Sequence, residues 1–282
     1  MISIITPTYN RAALVPDTIR SIQDQTCTDW ELLLVDDGST DDTGGAVEPF
    51  LQDRRIKYFR KENTGQADSL NYGARFAKGD YITFLDSDDT AFPGWLETAA
   101  SHMQADTGIV CVGAIRRFPD GKLVKEGMER YRFFGRDMML KFTSGSLFIR
   151  SDLFRAIQGY DANLRSNIQT DLGYRLLTLL EMIGLKAVPV EQYLLQINVH
   201  EGERIRTNWK KRREGGIQFI QKHLKFIRLH DPAEAGNVYA SIAYSCYKLN
   251  RRLESLHYLM LAIRYHPRRL INYFRVLKYT LL

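Results

Sequence analysis

The stretch "YITFLDSDDT", residues 81–90, guides the interpretation of the whole chain. Residues 81–85 are apolar or β-prone and predict a buried strand. Three carboxylates follow within four positions, at Asp86, Asp88 and Asp89. Charges of one sign this close repel each other unless a cation lies among them. The stretch therefore predicts that something positively charged binds directly after this strand.

Asp86 and Asp88 suit a divalent metal ion. Because they are two residues apart, an extended backbone points both side chains the same way. Mg²⁺ and Mn²⁺ prefer oxygen ligands, and they often bind one or two carboxylates together with substrate phosphates. The alternative interpretation is a polar turn at the strand end that caps a helix near Pro93.

The segments before this strand alternate between strand and helix. "WELLLVDDGST", residues 30–40, has no polar alternation, which is typical of a strand covered on both faces in a parallel sheet. Further strands are predicted at 2–6 and 56–60, with helices at 13–25 and 65–79. The alternation predicts an α/β domain with a mostly parallel sheet. Ligands bind at the carboxyl ends of such strands, so "TPTYNR", "DDGS", "KENTGQ" and "DSDD" should converge on one site.

After residue 105 the sequence predicts a mixed region and then a helical one. Strands are predicted at 108–118 and 144–150, and helices at 170–184, 208–230 and 236–266, the last broken near Asn250. The predicted boundaries are therefore an α/β domain over 1–205 and a basic helical region over 206–282.

The charge of the chain is divided in the same way. The net charge is +6, yet residues 204–282 hold 17 Lys and Arg against 4 Asp and Glu, whereas the preceding residues hold 22 against 29. Such a split indicates two parts with different partners. No recognised nucleic-acid-binding motif accompanies the basic charge, so a nucleic-acid partner is not expected.

The last predicted helix is amphipathic and basic. One stripe holds Leu270, Phe274, Leu277 and Leu281, and another holds Arg268, Arg275 and Lys278. This pattern favours an anionic membrane surface as a partner. A helix that packs on its own domain and leaves its charges in water is the alternative.

The remaining composition points to a reducing compartment. Cys27, Cys111 and Cys246 are far apart and have no metal-ligand spacing, so neither a disulfide scaffold nor a zinc site is expected. "MISIITPTYNR" lacks the pattern of a signal peptide, and no apolar run reaches the roughly 18 residues of a membrane-spanning helix. We therefore expect a cytoplasmic protein, with a peripheral position on the inner face of a membrane as an option.

Taken alone, "DSDDT" is compatible with three functions. It fits the Asp-x-Asp-x-Thr motif of haloacid dehalogenase-like phosphatases, in which Asp86 would be the nucleophile. Those phosphatases carry a further acidic pair downstream, whereas the pair in "VDDGS" lies upstream. The second function is metal-dependent sugar transfer from a nucleotide sugar. The third is a non-catalytic scaffold whose working part is the helical region.

The neighbouring motifs favour sugar transfer. "SIITPTYNRAALVPDTIRSIQDQTCTDWELLLVDDGSTDDT" followed by "KENTGQADSLNYGARFAKGDYITFLDSDD" resembles the family 2 glycosyltransferases with the GT-A fold. The resemblance is dense to about residue 105 and continues to about 205 through "SGSLFIRSDLF", "GYD" and "TDLGYRLL". It implies inverting transfer from a nucleotide-diphosphate sugar, UDP-linked, to a saccharide or lipid-linked acceptor. The implied setting is the synthesis of a cell-surface polysaccharide or glycolipid.

The resemblance implies a set of nucleotide contacts. Pro7 and Tyr9 would lie against the base, with the tyrosine ring as a stacking face. Asp37 would accept a hydrogen bond from a ring nitrogen of uracil, while Asn63 and Gln66 would contact the nucleotide.

The carboxylate cluster receives its roles from the same resemblance. Asp86 would face the ribose, with Ser87 also contacting the nucleotide, and Asp88 would bind the Mn²⁺ or Mg²⁺ that bridges the two phosphates. Asp89 is expected to cap the following segment. His200, in "VHEGERIR", would be a further metal ligand on a loop over the diphosphate, or alternatively part of an ordinary surface loop.

The resemblance also implies one catalytic base. Inverting transfer needs a carboxylate that takes the proton of the acceptor hydroxyl. Asp171, in "TDLGYRLL", matches the position of that base, although Thr170 stands where the family carries a glutamate. An acidic residue in a first helical turn is also favoured by the helix dipole alone. Asp161, in "GYD", is the weaker candidate for the base and is expected to shape the acceptor pocket.

Overall fold

Strand β2 (Trp30–Asp36) is buried along its whole length, as its continuous apolar sequence predicts. It lies between β1 (Ile2–Thr8) and β3 (Ile56–Arg60) and is parallel to both. On its other side β1 pairs in parallel with β4 (Tyr81–Phe84). These four strands confirm the predicted α/β class, because parallel neighbours require the intervening helices.

The computed structural model describes residues 1–200 and 208–281 of the chain. The remaining strands of the described residues are β5 (Thr90–Ala91), β6 (Thr107–Arg117), β7 (Leu123–Glu126), β8 (Glu129–Phe133), β9 (Arg136–Leu140), β10 (Leu147–Arg150) and β11 (Lys186–Asn198). The main sheet has the order β3-β2-β1-β4-β10-β6-β11-β5, with β7 also paired to β6, and β8 pairs with β9 in a separate ribbon. β10 is antiparallel to both β4 and β6, while β11 is parallel to β6.

The helices of the first 200 residues connect or cover these strands. They are α1 (Val15–Gln23), α2 (Thr43–Val47), α3 (Gln66–Ala74), α4 (Trp95–Ser101), α5 (Ser151–Ala156) and α6 (Ile168–Ile183), with a 3₁₀ turn at Glu48–Gln52. Two of these helices contribute fully buried side chains to the apolar core beside the strands. They are α1, with Ile19 and Ile22, and α4, with Trp95 and Leu96. The apolar core thus extends along the strands towards their carboxyl ends.

Four helices follow in residues 208–281. They are α7 (Trp209–His230), α8 (Pro232–Lys248), α9 (Arg252–Tyr265) and α10 (Ile271–Leu281). Asn208 caps α7 by accepting from the backbone of Lys211, and Asp231 caps α8 by accepting from Ala233. The predicted break near Asn250 is confirmed, because this residue has φ +57° and separates α8 from α9.

The chain divides into two units. The first contains Met1–Arg130, Met139–Ala162 and Gln169–His200, and the second contains Tyr131–Met138, Asn163–Ile168 and the four helices of residues 208–281. The boundary predicted between residues 205 and 206 falls among residues 201–207, outside the described part, and stays a prediction. The two short early segments in the second unit were not predicted, since no local pattern marks them.

Two strand regions were also missed. β11 carries a proline and two charged residues, which break the apolar pattern that strand prediction depends on. The β7, β8 and β9 strands are mostly exposed and therefore lack apolar periodicity. In the described part of the chain, no helix combines the length and the apolar character needed to cross a membrane.

Candidate active site

The carboxyl ends of six strands lie along one edge of the main sheet. Four of them, β1 to β4, run in the same direction. Strand β10 is antiparallel to both β4 and β6, so β6 runs in the same direction as β4. Strand β11 is parallel to β6 and therefore shares this direction. The polar segments after β1, β2, β3, β4 and β11 therefore come together. This is the edge at which open α/β sheets bind ligands.

The acidic cluster stands at the centre of this edge. Oxygen atoms of Asp86, Asp88 and Asp89 all lie within 4.8 Å of one another. Asp86 and Asp88 are partly exposed, whereas Asp89 is 6% exposed. Three clustered carboxylates of mixed exposure supply the hard oxygen donors that Mg²⁺ and Mn²⁺ prefer. The residues present therefore fit a divalent cation.

Two cationic or titratable side chains approach Asp88. The Nε2 atom of His200 lies 2.6 Å from Oδ2 of Asp88, and Nη2 of Arg11 lies 4.0 Å from the same oxygen. His200 lies two residues after the end of β11, which explains how a residue 112 positions away reaches the cluster. The structure thus brings together the two residues predicted as metal ligands, and their binding of a metal stays a prediction.

Asp89, which was expected to cap the following segment, makes a contact with β11 that was not predicted. Its Oδ1 accepts a hydrogen bond from the backbone N–H of Asn198 at 2.9 Å, and the Asn198 side-chain amide donates to the Asp88 carbonyl at 2.9 Å. These two bonds fasten the end of β11 to the acidic turn. Asn198 therefore fixes the position from which His200 reaches Asp88.

Gln66 connects the acidic turn to the first turn of α3. Its Nε2 donates to Oδ1 of Asp86 at 3.0 Å. Gly65, immediately before it, has φ +100°, and a Cβ added there would meet no atom within 4 Å. An open backbone position beside the acidic turn allows close approach of a ligand. Asn63, the other residue predicted from this segment, is exposed.

Asp37 holds the loop that leads into α3. Its Oδ1 accepts from Nζ of Lys61 at 2.6 Å and from the backbone of Thr64 at 2.9 Å, and its Oδ2 accepts from the backbone of Gly65 at 2.8 Å. The residue is 5% exposed. Asp37 therefore has a structural role in addition to the base contact predicted for it, which stays a prediction.

Asp36, the neighbour of Asp37, stabilises the turn after β2 through two contacts. Its Oδ1 accepts from the backbone N–H of Ser39 at 2.7 Å, and its Oδ2 accepts from the hydroxyl of Tyr58. Burial, together with this carboxylate, raises the pKa of Tyr58, so the phenol remains a hydrogen-bond donor at neutral pH.

The predicted base-stacking residues differ in exposure. Pro7 is buried inside β1, whereas Tyr9 is 45% exposed just beyond the strand. An exposed ring at the strand edge is available to stack on a planar ligand. Ser87 is 5% exposed, and its predicted contact with the nucleotide stays a prediction.

Asp171 is completely buried in the first turn of α6. Nε of Arg175 donates to its Oδ2 at 2.9 Å, and Nη2 of Arg175 lies 2.7 Å from the same oxygen. Arg175 also donates through Nη1 to the carbonyl of Ile157 at 2.8 Å. The candidate base is thus half of a buried ion pair.

The segment before α6 is tied to the acidic strand. The ring of Tyr160 packs edge-on against Phe84, the last residue of β4, with centroids 4.9 Å apart. Its hydroxyl donates to Gln169 of α6 at 2.8 Å, and its backbone exchanges two hydrogen bonds with Asn71 of α3. Burial raises the pKa of the Tyr160 phenol well above its usual value. These contacts link the helix of Asp171 to the strand of Asp86, with Asp161 partly exposed beside them.

Sequence reasoning missed three residues of this site: Arg11, Lys61 and Asn198. Arg11 ends the quoted motif "TPTYNR", and a positive charge in one of the segments expected to meet the acidic turn was a usable signal. Lys61 opens "KENTGQ" and was likewise within reach. Asn198 carried no signal, because its partners are far away in the sequence.

The chain is similar in sequence to known glycosyltransferases. The family model described as glycosyl transferase family 2 matches residues 3–164. A Campylobacter jejuni GalNAc(5)-diNAcBac-PP-undecaprenol beta-1,3-glucosyltransferase is 42% identical over 100 residues, which cover 34% of this chain and 32% of that protein. The matched stretches span between 18% and 38% of the length of the first five curated relatives.

Solved structures share the fold over nearly the whole chain. Staphylococcus aureus TarS residues 1–349 in complex with UDP-GlcNAc superposes with a TM-score of 0.63 at 18% identity, covering 95% of this chain and 82% of that one. A Pyrobaculum calidifontis mannosyltransferase in complex with GDP-Man and Mn²⁺ gives a TM-score of 0.58 at 18% identity, covering 94% and 73%. At this identity the likeness establishes the fold.

Proposed function

This chain belongs to glycosyl transferase family 2, and we propose that it is an inverting, metal-dependent transferase that uses a nucleotide-diphosphate sugar, most simply a UDP-sugar. The single observation that carries the proposal is the acidic turn after β4. There Asp86, Asp88 and Asp89 cluster within 4.8 Å, with Arg11 and His200 beside them. This arrangement can bind a diphosphate through a divalent cation.

The roles of the residues follow from their places along the sheet edge. Pro7 and Tyr9 lie against the nucleobase, with the tyrosine ring as the stacking face. Asp37, Asn63 and Gln66 contact the nucleotide from the segments after β2 and β3. The rigid strands on which these residues lie fix the orientation of the donor.

The acidic turn holds the diphosphate end of the donor. Asp86 and Ser87 would face the ribose, while Asp88 and His200 would hold Mn²⁺ or Mg²⁺. When bound, the cation offsets the negative charge that develops on the departing nucleoside diphosphate. Arg11 adds a fixed positive charge on the same side.

Asp171 receives the proton in the transfer step. The acceptor oxygen forms a bond to the anomeric carbon as the bond from that carbon to the diphosphate oxygen breaks, and the hydroxyl proton passes to the Asp171 carboxylate. Because this carboxylate is fully buried against Arg175, the side chains that cover it must move when substrates bind.

The Campylobacter jejuni relative is named for a saccharide linked to undecaprenol through PP. That name supports a saccharide or lipid-linked acceptor, and a role in polysaccharide or glycolipid synthesis, for this chain. A peripheral position on the anionic inner face of a membrane would bring the enzyme to such an acceptor. A screen of common nucleotide sugars, in which release of the nucleoside diphosphate is measured, identifies the donor sugar.

Isothermal titration calorimetry tests the donor site directly. UDP is titrated into the full chain with and without Mn²⁺, and Asp88→Asn is compared with the unsubstituted protein. We expect Mn²⁺ to tighten UDP binding at least about tenfold and Asp88→Asn to remove that gain, because the diphosphate is then held without its charge partner. Equal UDP affinity with and without Mn²⁺ would refute the metal-dependent site.

The same preparation separates the alternatives. Turnover of p-nitrophenyl phosphate that Asp86→Asn abolishes would favour the phosphatase, which the family match does not support. Failure to bind any nucleotide would favour a scaffold whose site no longer works.

A further inference from the structure

Helix α10 presents apolar side chains outward. Leu270, just before it, and Phe274 and Leu277 within it are 67%, 64% and 60% exposed, and Ile271 and Tyr273 are also exposed. Residues three and four positions apart lie on one helix face, so these side chains form a continuous stripe. Single exposed apolar residues are common on proteins, but a continuous stripe marks an interaction surface.

The inward face of α10 is the more polar one. Asn272 is fully buried and Tyr279 is 2% exposed, seven residues further on the same face. Tyr279 stacks on Tyr247 of α8 with ring centroids 4.1 Å apart. The side-chain amide nitrogen of Asn272 is buried and has no hydrogen-bond partner among the described residues, which costs stability. A helix docked for stability alone would bury Phe274 and leave Asn272 in water.

The chain segment that carries this stripe has charge of one sign. Residues 255–282 contain five Arg and Lys and no Asp or Glu. Arg268 and Lys278 are exposed, and Arg275 is partly exposed on the edge of the same helix. The apolar stripe and its neighbouring cations are therefore complementary to a surface with an anionic outer layer and an apolar layer under it.

We propose that the outward face of α10 docks on an anionic lipid bilayer surface. Leu270, Phe274 and Leu277 enter the boundary between headgroups and acyl chains, while Arg268 and Lys278 meet the lipid phosphates. A second copy of the chain is the poorer occupant, because it would bring a second set of positive charges to the contact, and residues 255–282 offer no Asp or Glu to pair with them. This inference goes beyond sugar transfer and does not depend on it, since α10 contributes no residue to the acidic turn.

Vesicle co-sedimentation of the full chain tests the proposal. The vesicles are phosphatidylcholine alone or with about 30 mol% phosphatidylglycerol, at low and high salt. The variant L270Q/F274Q/L277Q removes the stripe at exposed positions, where glutamine is a good helix former. The matched control L51Q/L123Q/M182Q changes three exposed apolar residues of the other unit, which are 40%, 59% and 78% exposed.

We expect the unsubstituted chain and the control to bind the anionic vesicles equally. Binding should fall at high salt and on phosphatidylcholine alone, and the stripe variant should bind at least about tenfold more weakly. Far-UV circular dichroism and UDP calorimetry on each variant show that the fold and the nucleotide site are unaffected. Nucleotide failure with intact vesicle binding would count against the transferase proposal alone.

Three results would overturn the proposal. The first is an unsubstituted chain that does not sediment with anionic vesicles. The second is a stripe variant that binds as well as the control, which would mean that charge alone attracts the chain. The third is a dimer in analytical ultracentrifugation that the stripe variant dissociates, which would assign the stripe to a second copy of the chain.

Discussion

The buried pair of Asp171 and Arg175 allows the proposed base to be separated from a structural carboxylate. Asp171→Asn keeps the shape of the side chain but cannot accept a proton. A general base contributes roughly a hundred- to ten-thousandfold to the rate. We therefore expect nucleoside diphosphate release from a reactive donor to fall at least about a hundredfold, with UDP affinity unchanged.

The contacts of the pair determine what each substitution costs in stability. Asp171→Asn removes the charge from a hydrogen bond of 2.9 Å to Arg175, whose guanidinium is 22% exposed and keeps its bond to Ile157. Such a loss is worth about 1–3 kcal/mol. Arg175→Gln instead leaves the fully buried carboxylate without its cation, which costs about 3–5 kcal/mol.

The two variants should therefore rank in opposite order in the two assays. Urea unfolding followed by circular dichroism should show Arg175→Gln as the less stable protein. The donor assay, at a temperature where both are folded, should show Asp171→Asn as the less active one, because Arg175→Gln retains the base. If Arg175→Gln loses as much turnover as Asp171→Asn, the pair is structural and the base lies elsewhere, with Asp161 the next residue to substitute.

Two further predictions concern packing and reactivity. Gly73→Ala should lower the free energy of unfolding by about 1–3 kcal/mol, because the new Cβ would lie 2.7 Å from the Ile5 side chain. The control Gly94→Ala should change the free energy of unfolding little, because the nearest atom to its new Cβ is 3.7 Å away. Equal urea midpoints for the two variants would contradict this prediction. Burial raises the pKa of Cys111 to about 12. Iodoacetamide near pH 8 should therefore label the partly exposed Cys27 before Cys111, as followed by peptide mass spectrometry. Equally fast labelling of Cys111 would show that this thiol is not buried.

The sequence by itself determined the parallel half of the sheet and the polar ends of its strands. Apolar runs such as Trp30–Asp36 and the carboxylates after Tyr81–Phe84 are local patterns, and a parallel sheet places successive strand ends at one edge. The break at Asn250 was equally local, because few residues other than glycine and asparagine tolerate a positive φ.

Only the tertiary structure decided which distant residues complete the site and which helix face is exposed. His200 reaches Asp88 across 112 residues because β11 is parallel to β6 and bonded to the acidic turn through Asn198, and no short-range pattern encodes that register. The sequence showed that α10 is amphipathic, but two docking orientations satisfy the same periodicity. Packing chose the one that buries Asn272 and exposes Phe274, because the stack of Tyr279 on Tyr247 fixes the helix by its more polar face.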